Sequence, residues 1–228
     1  MTFPGVVAAL ELETRGLIKS QAVEGAMIRC SGVGPNAARL AAESLLDAGA
    51  AALLSWGSTG GLSDGLKPGS LILPEKILCP DQTSFTVDAE WHERLRVRLS
   101  NHLEIHTGIL FQSSSVLTSP SEKKELNDQY GAVAVDMESA AVARVASKAR
   151  VPFIAMRAVT DTADMVVPAS ALAATEADGR LSLRGLFKGL ARHPQELYPM
   201  FRLGRNFFAA RRTLTTVVRL TGGGFLAP

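Results

Sequence analysis

Short apolar runs separated by helical stretches set the strongest limit on what this chain can fold into. GVVAAL (5–10), AMIRC (26–30), AALLS (51–55), SLILPEKIL (70–78), IHTGILF (105–111), AVAV (132–135) and PFIAMRAV (152–159) read as buried strands. Between them, PNAARLAAESLLDAGA (35–50) repeats apolar residues at helical spacing, with Pro35 suited to a first helical position after Gly34. SEKKELNDQY (121–130) and MESAAVARVASKA (137–149) read as further helices. Such alternation predicts an α/β fold of three layers, α/β/α, with a mixed, largely buried central sheet. No internal repeat or low-complexity segment interrupts it.

The character changes after Pro168. Residues 1–168 are expected to form the α/β core, and residues 169–228 a connector and a basic, amphipathic helical extension. Near the end, Leu203, Phe207, Ala210, Leu214 and Val217 step along one helical face, while Arg205, Arg212 and Arg219 step by seven along the opposite one. From Glu176 onward nine Lys or Arg stand against three Asp or Glu, so a tail of +6 offsets a body of −4 in a chain of net charge +2. Two fates suit such a helix: packing on the core with its charges in water, or lying on an anionic membrane surface. No run of eighteen apolar residues reads as a membrane span. The start of the chain carries no basic lead before its apolar run, so a cytoplasmic location is expected, with peripheral association at the inner membrane as the tail's contribution. Cys30 and Cys79 lack the spacing of a metal or disulfide framework, and no metal is expected. Nor is a nucleic-acid partner.

Polar groups cluster where strands end, which is where open α/β sheets bind ligands. ALELET places Glu11 and Glu13 after the first strand. CSGVGPNAA feeds the glycine loop around Gly34 into a helix, presenting backbone N–H groups. SWGSTGGLSDGLKPGS surrounds Ser58 and Thr59 with Gly57, Gly60 and Gly61. VDMES sets Asp136 and Glu138 at a strand–helix join, and RAVTDTAD ends a strand on Asp161. Taken singly, each also suits a turn, a helix cap or a solvated loop.

In this order and spacing, ALELE, SGVGPNAA, GSTGGL…LKPGSLILPEKI, VDMESAAVARVA and RAVTDTAD resemble the nucleoside phosphorylase and nucleosidase superfamily. The nearest pattern is that of bacterial methylthioadenosine/S-adenosylhomocysteine nucleosidases, across residues 5 to 165. The basic tail lies outside that pattern and resembles the hopanoid-associated branch, in which adenine is removed from adenosylhopane.

The resemblance implies roles. Glu138 would accept hydrogen bonds from the ribose 2′- and 3′-hydroxyls, with Met137 against the sugar and Asp136 structural. Asp161 would be the general acid that protonates the departing purine at N7. Glu13 would position and deprotonate water, with Glu11 as the fallback. Ser58 and the loop around Gly34 would touch the nucleophile, Gly60 would line the substrate site, and Val116 and Leu117 would meet the purine, with Phe111 nearby. Phosphorylases of the superfamily carry an arginine before the Gly-Ser loop, where this chain has Ser55 and Trp56. Arg29 is a candidate substitute. Water is therefore the favoured nucleophile, inorganic phosphate the alternative co-substrate, and no other cofactor is implied. A soluble nucleosidase acting on methylthioadenosine, S-adenosylhomocysteine or futalosine is the competing enzyme. A membrane-peripheral binding protein without turnover is the competitor from another class. Relatives self-associate, so a homo-oligomer is expected.

Overall fold

The computed structural model describes residues 3–19, 26–174, 189 and 191–222. Ten strands form a single mixed sheet: β1 (Pro4–Ala8), β2 (Met27–Cys30), β3 (Ala52–Gly61), β4 (Leu71–Ile72), β5 (Lys76–Leu78), β6 (Ser84–Thr86), β7 (Ile105–His106), β8 (Ile109–Gln112), β9 (Ala132–Asp136) and β10 (Phe153–Asp161). The long β3 and β10 run parallel at its centre. On its other side β3 pairs with β1 in parallel over Pro4–Ala8, then with β9 antiparallel at Gly60 and Gly61. One strand thus joins two wings, and its far end is where the sheet opens. β1 and β10 are buried almost throughout, as strands covered on both faces must be.

Helices cover both faces. α2 (Pro35–Asp47) packs against α5 (Ser139–Ala149) on one side, with Ala38, Ala42 and Leu45 of the one and Val142, Ala143 and Ala146 of the other buried. The small alanines let the two helices approach the sheet and each other. On the opposite side lie α1 (Glu11–Lys19), α3 (Ala89–Ser100) and the C-terminal α7 (Leu197–Thr221). α4 (Pro120–Tyr130) leans on β9, and a short α6 (Ala169–Ala174) follows the sheet.

Several predicted strands are split, each by an identifiable residue. SLILPEKIL divides at Pro74 into β4 and β5, which lie in different wings, because proline supplies no ladder N–H. IHTGILF divides at Gly108, whose φ of +110° turns the chain between β7 and β8. The first strand stops at Ala8, and Glu11 and Glu13 open α1 instead of extending β1. Carboxylates in a first helical turn complement the exposed N–H groups there.

The terminal helix packs its apolar face on the core. Ala210, Leu214, Val217 and Val218 are buried against the core, and α7 packs on β10, α1 and α3. Burying each such Leu or Val is worth about 1.5–3 kcal/mol. Arg205, Arg212 and Arg219 stay exposed, along with Leu197, Tyr198, Phe201 and Phe208. Pro194 opens a 3-10 turn and Pro199 sits in the first turn of α7, so the second proline does not break the helix. Much of the connector lies outside the described residues. Among the described residues, no helix is long and apolar enough to cross a membrane.

Candidate active site

A cavity of about 560 Å³ opens at the ends of β3, β9 and β10. Glu13, Glu138 and Asp161 all line it, with Ser58, Gly60, Val116, Leu117 and Met137. Gly34 acts one step back, through its backbone. Glu11, the fallback for Glu13, does not line the cavity, and neither does Arg29, which lies exposed on β2. Phe111 is buried in a small cluster with Leu62 and Val135, stacked on Tyr130.

Glu13 and Glu138 are each held by a backbone N–H of a distant segment, from Ser58 and Gly34 respectively. The Ser58 N–H and Oγ–H both donate to Glu13 Oε1, at 2.8 and 2.6 Å, and the Leu10 N–H donates to Oε2 at 3.1 Å. Ser58 therefore orients Glu13 directly. Gly57 makes this approach feasible. Its φ is +154°, and a Cβ there would stand 2.7 Å from Glu13 Oε2 and 2.8 Å from the Arg157 guanidinium. Burial pushes the Glu13 carboxyl above its ordinary range, against the pull of Ser58 and the nearby Arg157 charge.

Glu138 precedes α5 and takes the Gly34 N–H on Oε1 at 2.8 Å and the Met137 N–H on Oε2 at 3.3 Å. Gly34 reaches it with φ +99°, in the region open to glycine. A carboxylate has about four acceptor positions, so capacity remains for donors in the cavity. Burial, then the negative charge of Asp136, raises the Glu138 carboxyl to about 7, with Arg157 and the Gly34 N–H pulling the other way.

Asp136 also lines the cavity, but its carboxylate is engaged by the protein interior. Its Oδ2 accepts from Arg157 Nε at 2.8 Å, and Arg157 also donates to Ser55 Oγ at 2.7 Å and Ser139 Oγ at 2.9 Å. This ion pair is buried on both sides, at 3% and 1% side-chain exposure. The acid at the strand–helix join neutralises an arginine in the interior of β10.

Asp161 owes its direction to a β-bulge. Val159 pairs with Thr59 and Asp161 with Gly60, leaving Thr160 as an extra residue that re-aims the strand end. Asp161 Oδ1 accepts from Thr160 Oγ at 2.9 Å, and Oδ2 from Lys123 Nζ at 2.6 Å. Arg157 and Lys123 are the two groups the sequence reading missed. Arg157 was visible as a lone charge inside the apolar FIAMRAV. Lys123 was hidden within SEKKELNDQY, where a buried lysine looks like its solvated neighbour.

Among the described residues, Arg157 at the cavity and Lys123 behind Asp161 are each paired with a carboxylate of its lining. Among the described residues, no cluster of three or more His, Cys, Asp or Glu suits a metal ion.

The raised Glu138 carboxyl has a consequence for stability. The native state keeps a proton that the unfolded chain releases near 4.5, so folding stability falls as pH rises from about 4.5 to about 7 and levels off above. Glu138→Gln keeps the shape without the charge. Urea unfolding at pH 5 and pH 7.5 is expected to show the variant gaining on the wild type as pH rises. A constant difference between the two would show that Glu138 does not titrate in that window.

An open mixed sheet with acids gathered at its strand ends defines an α/β enzyme with a ligand cavity at the topological switch. A family profile described as Phosphorylase superfamily matches residues 14–184, and the chain belongs to that superfamily. It is 24% identical over 198 residues to a 5′-methylthioadenosine/S-adenosylhomocysteine nucleosidase of Shewanella denitrificans, covering 70% of this chain and 86% of that one. The fold is shared with the 5′-methylthioadenosine/S-adenosylhomocysteine nucleosidase of S. pneumoniae, solved with the transition-state inhibitor MT-ImmA (TM-score 0.72, 17% identity, covering 98% of this chain and 99% of that one). It is shared equally with futalosine hydrolase of Helicobacter pylori (TM-score 0.70, 17% identity, covering 96% and 97%).

Proposed function

We propose that this protein hydrolyses the N-glycosidic bond of an adenine nucleoside. The observation that carries the reading is the convergence of Glu13, Glu138 and Asp161 on one cavity from three distant segments. Glu138 accepts the ribose 2′- and 3′-hydroxyls as charge-assisted hydrogen bonds, and its charge opposes the positive character that grows on the sugar as the base leaves. Met137 lies against the sugar. Asp161 donates a proton to purine N7, since adenine leaves poorly as an anion. Glu13, fixed by Ser58, takes a proton from the attacking water.

Water is favoured over phosphate on charge. Four carboxylates line the cavity, and its two nearest cations are already paired with two of them. Among the described residues lining the cavity, a phosphate dianion would find no free guanidinium or ammonium partner, and burying it would be costly. The reaction then needs no cofactor.

Among substrates, the named relative supports a methylthioadenosine or S-adenosylhomocysteine type of nucleoside better than a lipid-linked one. One observation supports adenosylhopane as a second reading. The outer face of α7 exposes Leu197, Tyr198, Phe201 and Phe208 beside Arg205, Arg212 and Arg219, and this mixture suits the interface of an anionic membrane. On that reading the enzyme is a peripheral protein of the inner membrane in hopanoid biosynthesis. Self-association, implied by the family pattern, fits either reading.

The test is adenine release from methylthioadenosine in solution and from adenosylhopane in anionic vesicles, each with and without phosphate. Phosphate-independent release from the soluble nucleoside is the expected result. Release from adenosylhopane alone would favour the second reading, strict dependence on phosphate would exclude hydrolysis, and release from neither would exclude the activity.

A further inference from the structure

Helix α4 is polar along its length, yet Lys123 within it has no exposed surface, and it is the one residue of that helix that is buried. The adjacent Lys124 is in water, paired with Asp128. Burying an ammonium is expensive unless all its donors are met. Here they are: Nζ donates to Asp161 Oδ2 at 2.6 Å, to the Thr162 carbonyl at 2.8 Å and to the Met165 carbonyl at 3.1 Å. Three acceptors meet three N–H bonds.

The cation is thereby locked, and so is its carboxylate. With Oδ2 tied to Lys123 and Oδ1 to Thr160, the Asp161 side chain has little rotational freedom left. The same ammonium ties the end of β10 to the turn that follows it. That turn continues to Val167, whose N–H donates to the Thr118 carbonyl at 2.9 Å, next to the cavity wall at Ser115, Val116 and Leu117. One side chain therefore fixes the acid and braces the wall beside it. The helix bearing it is itself held at its start by a reciprocal cap between Ser119 and Glu122.

We infer that Lys123 is a positioning residue for base departure, acting only through Asp161. This rests on the general-acid role proposed above for Asp161. Asp161 first takes up a proton from solvent; as it passes that proton to purine N7, the glycosidic electron pair passes into the base. The carboxylate left behind is then neutralised by an ammonium already in place, which favours the proton-donated state without any new reorganisation. The lysine keeps its own protons throughout.

The experiment is a double-mutant cycle on adenine release, using Lys123→Met, Asp161→Asn and the double variant, each first shown to be folded by thermal unfolding. Lys123→Met should lower kcat about 10–100-fold, part of what a general acid supplies, with KM little changed. The double variant should be no slower than Asp161→Asn alone. A double variant slower by the full product of the two single losses would overturn the inference, as would wild-type kcat in Lys123→Met. If Lys123→Met does not fold, the double variant, which lacks both charges, is compared with Asp161→Asn directly. Equal rates support the inference and a slower double variant overturns it. Should Asp161→Asn match wild type, the general-acid reading falls instead, so the two failures are separable.

Discussion

Asp161→Asn is expected to release adenine about 10²–10⁴-fold more slowly than the wild type, the usual worth of a general acid. Asparagine fills nearly the same space: its one oxygen can accept from Lys123 Nζ, while its NH2 faces Thr160 Oγ, which must turn to accept from it. What it cannot do is transfer a proton to the purine. Because the loss belongs to the transition state, kcat should fall while KM changes little. A nucleoside whose base leaves without protonation should show a smaller loss. Steady-state adenine release with both kinds of substrate measures this, and an undiminished rate in the variant would remove Asp161 from the chemistry.

The second large effect concerns folding. Arg157→Met leaves Asp136 buried with no cation, and breaking a buried pair from one side costs about 3–5 kcal/mol. The loss spreads further, because Ser55 and Ser139 lose the donor they share and Glu13 and Glu138 lose the positive charge that eases their burial. Against a typical total stability of about 5–15 kcal/mol the variant should be marginal. Urea unfolding should show the drop, and adding Asp136→Leu should recover a good part of it, since an apolar pair can replace a buried ion pair. A single variant within about 1 kcal/mol of wild type, inside the range of ordinary surface changes, would show that the pair is not what holds this region.

Legibility in the sequence followed the kind of physics involved. The three-layer architecture could be read because strands buried on both faces are apolar along their length, and β1, β3, β9 and β10 lie close to where such runs stand. The breaks at Pro74 and Gly108 could be read only partly: both residues are visible, but the two wings into which β4 and β5 separate depend on partners far along the chain. Glu13 stood out by residue type and by its place after the first strand, but that it begins a helix did not. Its place in the first turn of α1 comes from where β1 ends. Glu138 was legible from the resemblance, whereas its contact with the Gly34 N–H spans 104 positions and leaves no local trace. Arg157 could have been weighed as a charge stranded in an apolar strand. Lys123 gave no sign at all, since burial of one lysine of an adjacent pair is a tertiary fact.

β3 carries two neighbours in succession along one side, β1 and then β9, while Gly57 and Ser58 sit between those pairings. Adding or removing one residue there would exchange Ser58 for a glycine or a threonine opposite Glu13 and drive a side chain into the gap that Gly57 keeps open. Variation in length among proteins built on this plan should therefore be absent from these ten positions and collect in the outlying Cys79–Thr83 turn between β5 and β6. The middle of the molecule is frozen by geometry, and its margins are where such a scaffold has room to diversify.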